Sequence, residues 1–321
     1  MTSTATLRQS DSTRSQAVSR LSRDSTRSVV RHDVPALSPR LQLARAALVL
    51  VFALCLLLFL QLVVFSLLQS SAAQRHALDS FRSDLATGTA PIGPTDEQGH
   101  MLPIGTPVAL MEIPSIGLRQ VVGEGTSSRA MLHGPGHRRD TPLPGQIGSS
   151  VVFGRRAAYG GPFASIDGLL KGALIKVTTG QGSFTFRVLG VRHRGDPAPA
   201  APAAGTARLT LVTAAGRAFL PDGVVRVDAE LDVRAGKAVV GPARVLSASA
   251  LPAEDKLMAG DTRSLWVLAL WLQALIGLAV GAVWAWHRWG RAQAWVVFLP
   301  PLLLVGLAVS GEAARLLPNL L

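Results

Sequence analysis

Three long apolar runs constrain this chain most, because a helix that is apolar on all sides over such a length belongs in lipid rather than on a globular surface. Residues 46–68, AALVLVFALCLLLFLQLVVFSLL, carry no charge and only Gln61 and Ser66 as polar interruptions. That length suffices to cross roughly 30 Å of hydrocarbon. Residues 265–286 form a run of similar length, ending among Trp284, Trp286 and Trp289, whose amphipathic rings favour lipid headgroups. The third run, 294–310, is shorter and contains Pro300 and Pro301, which remove backbone donors and would kink a helix. In a chain of 321 residues these runs leave room for one globular domain between the first and second.

Orientation follows from the arginines, since positive charge beside a span stays cytoplasmic. Arg27, Arg31, Arg40 and Arg45 precede the first run, and Arg288 and Arg291 lie between the second and third. The expected protein is a multi-pass plasma-membrane protein with a cytoplasmic N-terminus and its polar domain outside. Ser71-Ala72-Ala73 weakly resembles a signal-peptidase site, but the run before it is too long for a signal core and its leader is far too long. The formal charge of +12 does not point to nucleic acid, because eight arginines lie in the first 45 residues among Ser and Thr, with neither apolar periodicity nor aromatics. This tail reads as disordered and topology-setting; attraction to anionic lipid or phosphorylation are its sharper roles. The excess of Arg over Lys, with abundant Ala and Gly, suggests a GC-rich genome.

The expected organisation is a basic cytoplasmic tail (1–45), a first span (46–68), a spacer (69–105), a β-barrel domain (106–234), a linker (235–263), a second span (264–286), a cytoplasmic loop (287–293), a third span (294–310) and a short outward tail (311–321). Within the polar domain, 108–118, 149–154, 208–213 and 224–233 read as short strands. ALIKVTTGQGSFTFRVLGV (173–191) is a hairpin around Gly180-Gln181-Gly182. Residues 162–172 read as one short helix capped by Ser165, and DPAPAAPAAGTA (196–207) as a loop. Short, regularly spaced strands make the domain all-β, a small barrel or sandwich. His133 and His137 have metal-like spacing, but Gly134, Pro135 and Gly136 between them forbid the helix that would align them; no metal and no cofactor is expected. His193 reads as a solvated strand end. Gly277 and Gly281 are spaced for close helix contact in the second span.

Several segments, in order, carry a resemblance: IPSIGL (113–118), HGPGH with TPLPGQ (133–137, 141–146), VVFGRRAAYGGPF (151–163), the 173–191 hairpin and LTLVTAAG (209–216). Together, over roughly residues 108–233, they resemble the sortases, cysteine transpeptidases that join proteins to the bacterial cell wall, in the membrane-anchored, class E-like form found in actinobacteria. The resemblance implies a sortase-like β-barrel outside the membrane, with one N-terminal and two C-terminal transmembrane helices. It also implies a cysteine that attacks a sorting-signal amide, a histidine that handles the leaving-group proton and an arginine that stabilises the oxyanion or positions substrate.

Carried onto this chain, the histidine position is Arg155 and the cysteine position is Ala214. A guanidinium cannot shuttle protons at physiological pH, and a methyl group is no nucleophile. The only cysteine, Cys55, lies inside the first apolar run. For the arginine, counting back from the last strand gives Val224, whereas counting forward from Ala214 gives Arg226; both lie on one strand face. Thr213 adjoins Ala214, but alternation points its hydroxyl away from the cleft. Ser149 and Ser150 lack a neighbouring histidine. His137, in a loop where active relatives carry similar histidines, is expected to be structural.

Three readings follow. The first is a pseudo-sortase whose cleft, with Arg155 as a fixed cation suited to carboxylate or phosphate, binds a sorting-signal-like peptide, a cell-wall precursor or another surface protein. In its plainer version Arg155 pairs with an acid and the cleft is vestigial. The second is a divergent transpeptidase or hydrolase with an unrecognised nucleophile. The third is a structural subunit of a membrane complex.

Overall fold

The structure, a computed structural model, describes residues 38–96, 98–242, 247–261 and 264–321. Most of the expected basic tail therefore lies outside the described residues. Helix α1 (Pro39–Leu60) passes through a π-turn, Gln61–Phe65, into α2 (Ser66–Thr87). The helix does not stop at 68: it continues through the first half of the expected spacer, because 66–87 contains neither Pro nor Gly, and it ends where Gly88 takes a left-handed conformation at φ 71°. The π-turn places the Ser66 hydroxyl 3.2 Å from the Tyr159 amide, which donates to it. About two turns further on, the Gln74 amide grips β2, accepting from Val121 N at 2.7 Å and donating to Val121 O at 3.0 Å, and Phe81 is fully buried. The extension thus holds the barrel on the helix.

Eight strands close into a barrel in the order β1-β2-β3-β4-β7-β8-β6-β5. They are β1 (Pro107–Ile113), β2 (Leu118–Glu124), β3 (Gly136–His137), β4 (Gly148–Phe153), β5 (Leu174–Thr179), β6 (Gly182–Arg192), β7 (Ala207–Arg217) and β8 (Leu220–Leu231). Pro114 ends β1 and opens a 3-10 turn, Pro114–Ile116, which Gly117 closes at φ 65°. The chain then returns as β2, a strand the sequence reading had not separated. In the β5–β6 hairpin, alternation sets the faces: Ile175, Val177, Phe184, Phe186 and Val188 point into the core with Leu209, Leu211 and Val227. Each such side chain contributes about 1.5–3 kcal/mol on full burial.

The helix expected over 162–172 is only a 3-10 turn, Ile166–Gly168; Ser165 makes no side-chain cap bond and Gly168 breaks the run. Part of the expected linker is strand-like, since Val239 exchanges backbone bonds with the Gly145–Ile147 segment at 3.0 and 2.9 Å.

Helices α3 (Ser264–Trp289) and α4 (Arg291–Arg315) are joined at Gly290 alone, so the loop expected over 287–293 shrinks to one residue with φ 104°. Pro300 and Pro301 lie inside α4, which stays helical around them. Leu275 of α3 packs with Val305 and Val309 of α4, and with Leu54 of α1. Of the expected glycine pair, Gly281 faces Phe298, whereas Gly277 faces open space. Among the described residues, three helices are long and apolar enough to cross a membrane: Ala47–Thr87, Ser264–Trp289 and Ala292–Arg315.

Candidate functional site

Parallel pairing of β4 with β7 puts Phe153 beside Val212, so the residues that follow the end of β4 run alongside Thr213 and Ala214 of β7. Gly154 N donates to Val212 O at 2.9 Å, and the Thr213 hydroxyl donates to Gly154 O at 2.8 Å. Arg155 and Ala214, at the histidine and cysteine positions implied by the resemblance, therefore sit at one end of the barrel. Thr213 is fully buried and held by that backbone bond, pointing to the opposite face from Ala214 as alternation required. Val224 lies directly across from Ala214 on β8, and Arg226 across from Val212. Arg226 thus shares the outer face with Ala214, while Val224 packs into the same apolar cluster as Ala214.

Gly154 has no room for a side chain, because a Cβ there would collide with the Phe163 ring. Gly154→Ala is expected to cost about 1–3 kcal/mol through overpacking. A melting temperature equal to that of the parent in a thermal unfolding scan would refute the close approach.

Arg155 is not the open cation the sequence reading expected. It is fully buried, the largest side chain so enclosed. Nε donates to Met131 O at 3.2 Å, one terminal nitrogen to the Leu321 main-chain oxygen at 3.2 Å, and the other to both Ser128 O and Ser128 Oγ at 2.9 Å. Its guanidinium carbon lies 5.0 Å from the centroid of the Tyr159 ring, a cation–π arrangement. Tyr159 reaches that place through a left-handed turn, with φ 54° at Tyr159 and 80° and 48° at Gly160 and Gly161. Burial pushes the Arg155 pKa down to about 10, which leaves it a cation at neutral pH. With its donors committed to oxygens on the protein, it is a structural bolt rather than an anion receptor. No Asp or Glu side chain is among its hydrogen-bond partners in the described residues, which are main-chain oxygens and one hydroxyl.

The outer face over Ala214 is covered by residues that sequence reasoning had dismissed as a short tail. Leu320 and Leu321, 0% and 4% exposed, pack with Met131, Phe153, Val212 and Ala214. The Arg156 amide donates to Leu320 O at 2.9 Å, and the Asn319 side-chain amide donates to Thr126 O at 2.7 Å and Lys256 O at 2.8 Å. Nothing in the residue types of 316–321 signals this; no periodicity marks a five- or six-residue segment.

His137 belongs to a different cluster. It is 2% exposed, with Nδ1 2.9 Å from Glu124 Oε2 and Nε2 3.0 Å from Pro142 O. Thr141 Oγ1 is 3.1 Å from the same Nε2, a spacing that suggests a Thr-His-Glu relay. The relay fails because Nε2 faces a carbonyl and so carries its proton, leaving no lone pair for Thr141. The His137 ring is held by Glu124 and Pro142 inside the fold. The His133 carbonyl accepts from Gln74, and partial desolvation of the ring lowers its pKa. No group of three metal-ligating side chains occurs among the described residues. Cys55 is exposed on α1.

Comparisons with known proteins place this arrangement. A protein-family model of the sortase domain matches residues 111–218. Among solved structures, a sortase E mutant from Streptomyces avermitilis is 31% identical, the match covering 42% of this chain and 97% of that one at a TM-score of 0.35. A sortase D5 transpeptidase from Clostridium perfringens is 21% identical, covering 50% and 99% at 0.41. A sortase C from Clostridium perfringens, described with the C-terminal cell wall sorting motif, is 20% identical, covering 50% and 88% at 0.38. No curated protein matches the chain. On the domain match and the 31% identity along nearly the whole of one relative, this chain belongs to the sortase family.

Proposed function

We propose that this protein is a membrane-anchored sortase-fold protein that has given up transpeptidation and uses the outer groove of β4, β7 and β8 to hold a peptide at the cell surface. The observation that carries this reading is Ala214, a fully buried methyl at the position the resemblance assigns to the nucleophile, beside an Arg155 that cannot accept a proton. The arginines flanking the spans support a barrel on the outer side of the plasma membrane. The groove floor of Met131, Phe153, Val212 and Ala214 is apolar, which favours a sorting-signal-like peptide or a segment of a surface protein over an anionic wall precursor.

The rival reading, a divergent transpeptidase, finds little support in the hydroxyl geometry. Thr213 is spent on Gly154, and Ser150 Oγ is buried without a hydrogen-bond partner among the described residues, so no base activates it. The test uses the full chain in detergent or nanodiscs with a broad panel of sorting-signal peptides. Intact-mass spectrometry is expected to show no acylated protein and no cleaved peptide. A covalent acyl adduct on the unaltered chain would overturn the proposal.

A further inference from the structure

The residues on the groove belong to the chain itself, and they sit there as a tight turn, Leu321 N donating to Pro318 O at 3.1 Å. Leu320 and Leu321 fill the apolar floor over Ala214. The main chain is read at both leucines, by the Arg156 amide at Leu320 O and the Arg155 guanidinium at Leu321 O. The side chain is read at Asn319, by two carbonyls from two different segments, Thr126 and Lys256. Ser128 adds a hydroxyl donated to Leu317 O at 3.2 Å. Backbone bonds for affinity and pockets for particular side chains are the usual components of peptide recognition.

The cradle is itself assembled rather than incidental. Asp255, 1% exposed, accepts from the Thr126 amide at 2.9 Å and through its main-chain oxygen from the Thr126 hydroxyl at 2.7 Å, tying the 253–259 segment to the loop that carries Ser128. Asn319 N closes the same segment by donating to Ala259 O at 2.9 Å. The seat is nevertheless unsaturated: Asn319 Oδ1 is buried with no hydrogen-bond partner among the described residues. The docked state carries that cost and a released state does not. The segment also follows α4 directly, Leu316 coming straight after Arg315, so a shift at the end of that helix pulls on the plug.

We infer that residues 318–321 are a resident, displaceable ligand of the groove over Arg155 and Ala214, and that this groove accepts in their place a peptide of the same chemistry, an asparagine followed by two aliphatic residues folded into the same turn. The inference rests on the peptide-groove reading and names its occupant.

The test is thiol protection in the full chain carrying Cys55→Ser and Ala214→Cys, reacted with a maleimide in detergent. Labelling of the introduced thiol is expected to be slow, and about tenfold faster when Leu320→Asp is added, because the covered site then opens locally. Excess synthetic peptide Leu-Leu-Pro-Asn-Leu-Leu, the sequence of 316–321, should slow it again. Asn319→Ala, which keeps the apolar contacts, should give an intermediate rate, and it serves should the aspartate variant fail to fold. Equal rates with and without the Asn319 change, or no protection by the added peptide, would overturn the inference. That result would leave the inactive-enzyme proposal standing, whereas an acyl adduct on the unaltered chain would remove that proposal without touching the plug.

Discussion

Arg155→Met is expected to destabilise the barrel by about 3–5 kcal/mol, the penalty typical of removing one member of a buried, hydrogen-bonded polar network. The methionine approximates the arginine stem in volume, so little of the loss comes from a cavity. The loss comes from the acceptors left behind. Ser128 O, Met131 O and the Leu321 oxygen would be stranded in an enclosed site, each at about 1–3 kcal/mol. Relief of the guanidinium's desolvation, visible in its lowered pKa, offsets part of this. Amide hydrogen exchange of β4 and β7 reads the effect where global opening governs it, and acceleration of about a hundredfold or more is expected. Unchanged exchange would mean that Arg155 is not the bolt its bonds describe.

Glu124→Ala is expected to be comparably damaging, about 3–5 kcal/mol, for an electrostatic reason. Glu124 is 1% exposed and faces His137 at 2.9 Å and Arg139 Nε at 3.9 Å. Removing the carboxylate leaves the Arg139 guanidinium without its counter-charge and the His137 Nδ1 without its partner. It also frees the ring that ties Pro142 and Thr141 to β3. A double-mutant cycle with His137→Asn isolates the pair: substituting both should cost clearly less than the sum of the single changes. Additive losses, measured as shifts in thermal unfolding, would show that the two residues are not coupled.

Much of the fold was legible because it is written locally. The span at 46–68 is a property of uninterrupted apolar length, and the β5–β6 hairpin is a property of period-two alternation around glycines. Even the face of Thr213 followed from alternation alone. The errors share the opposite character. The helix through 87 was hidden because its polar residues suggest a spacer, and only docking of Gln74 and Phe81 on the barrel makes a continuous helix worthwhile there. Strand β3 is too short, at Gly136–His137, to show any period; it exists because β2 and β4 flank it.

At the candidate site the division is sharper. Residue types alone determined that the polar domain has no thiol, that an arginine and an alanine stand where the resemblance implies reactive groups, and that three stretches suit lipid. What the arginine does was decided only by folding. A guanidinium in solution is an anion receptor; enclosed among Ser128, Met131 and Leu321, it is a cross-brace between segments up to 166 positions apart. Pairings over such separations depend on which loops close and which surfaces lose water, and one-dimensional pattern carries no record of either. The same holds for the leucines at 320 and 321, apolar residues of no distinction until the groove over Ala214 gives them somewhere to go.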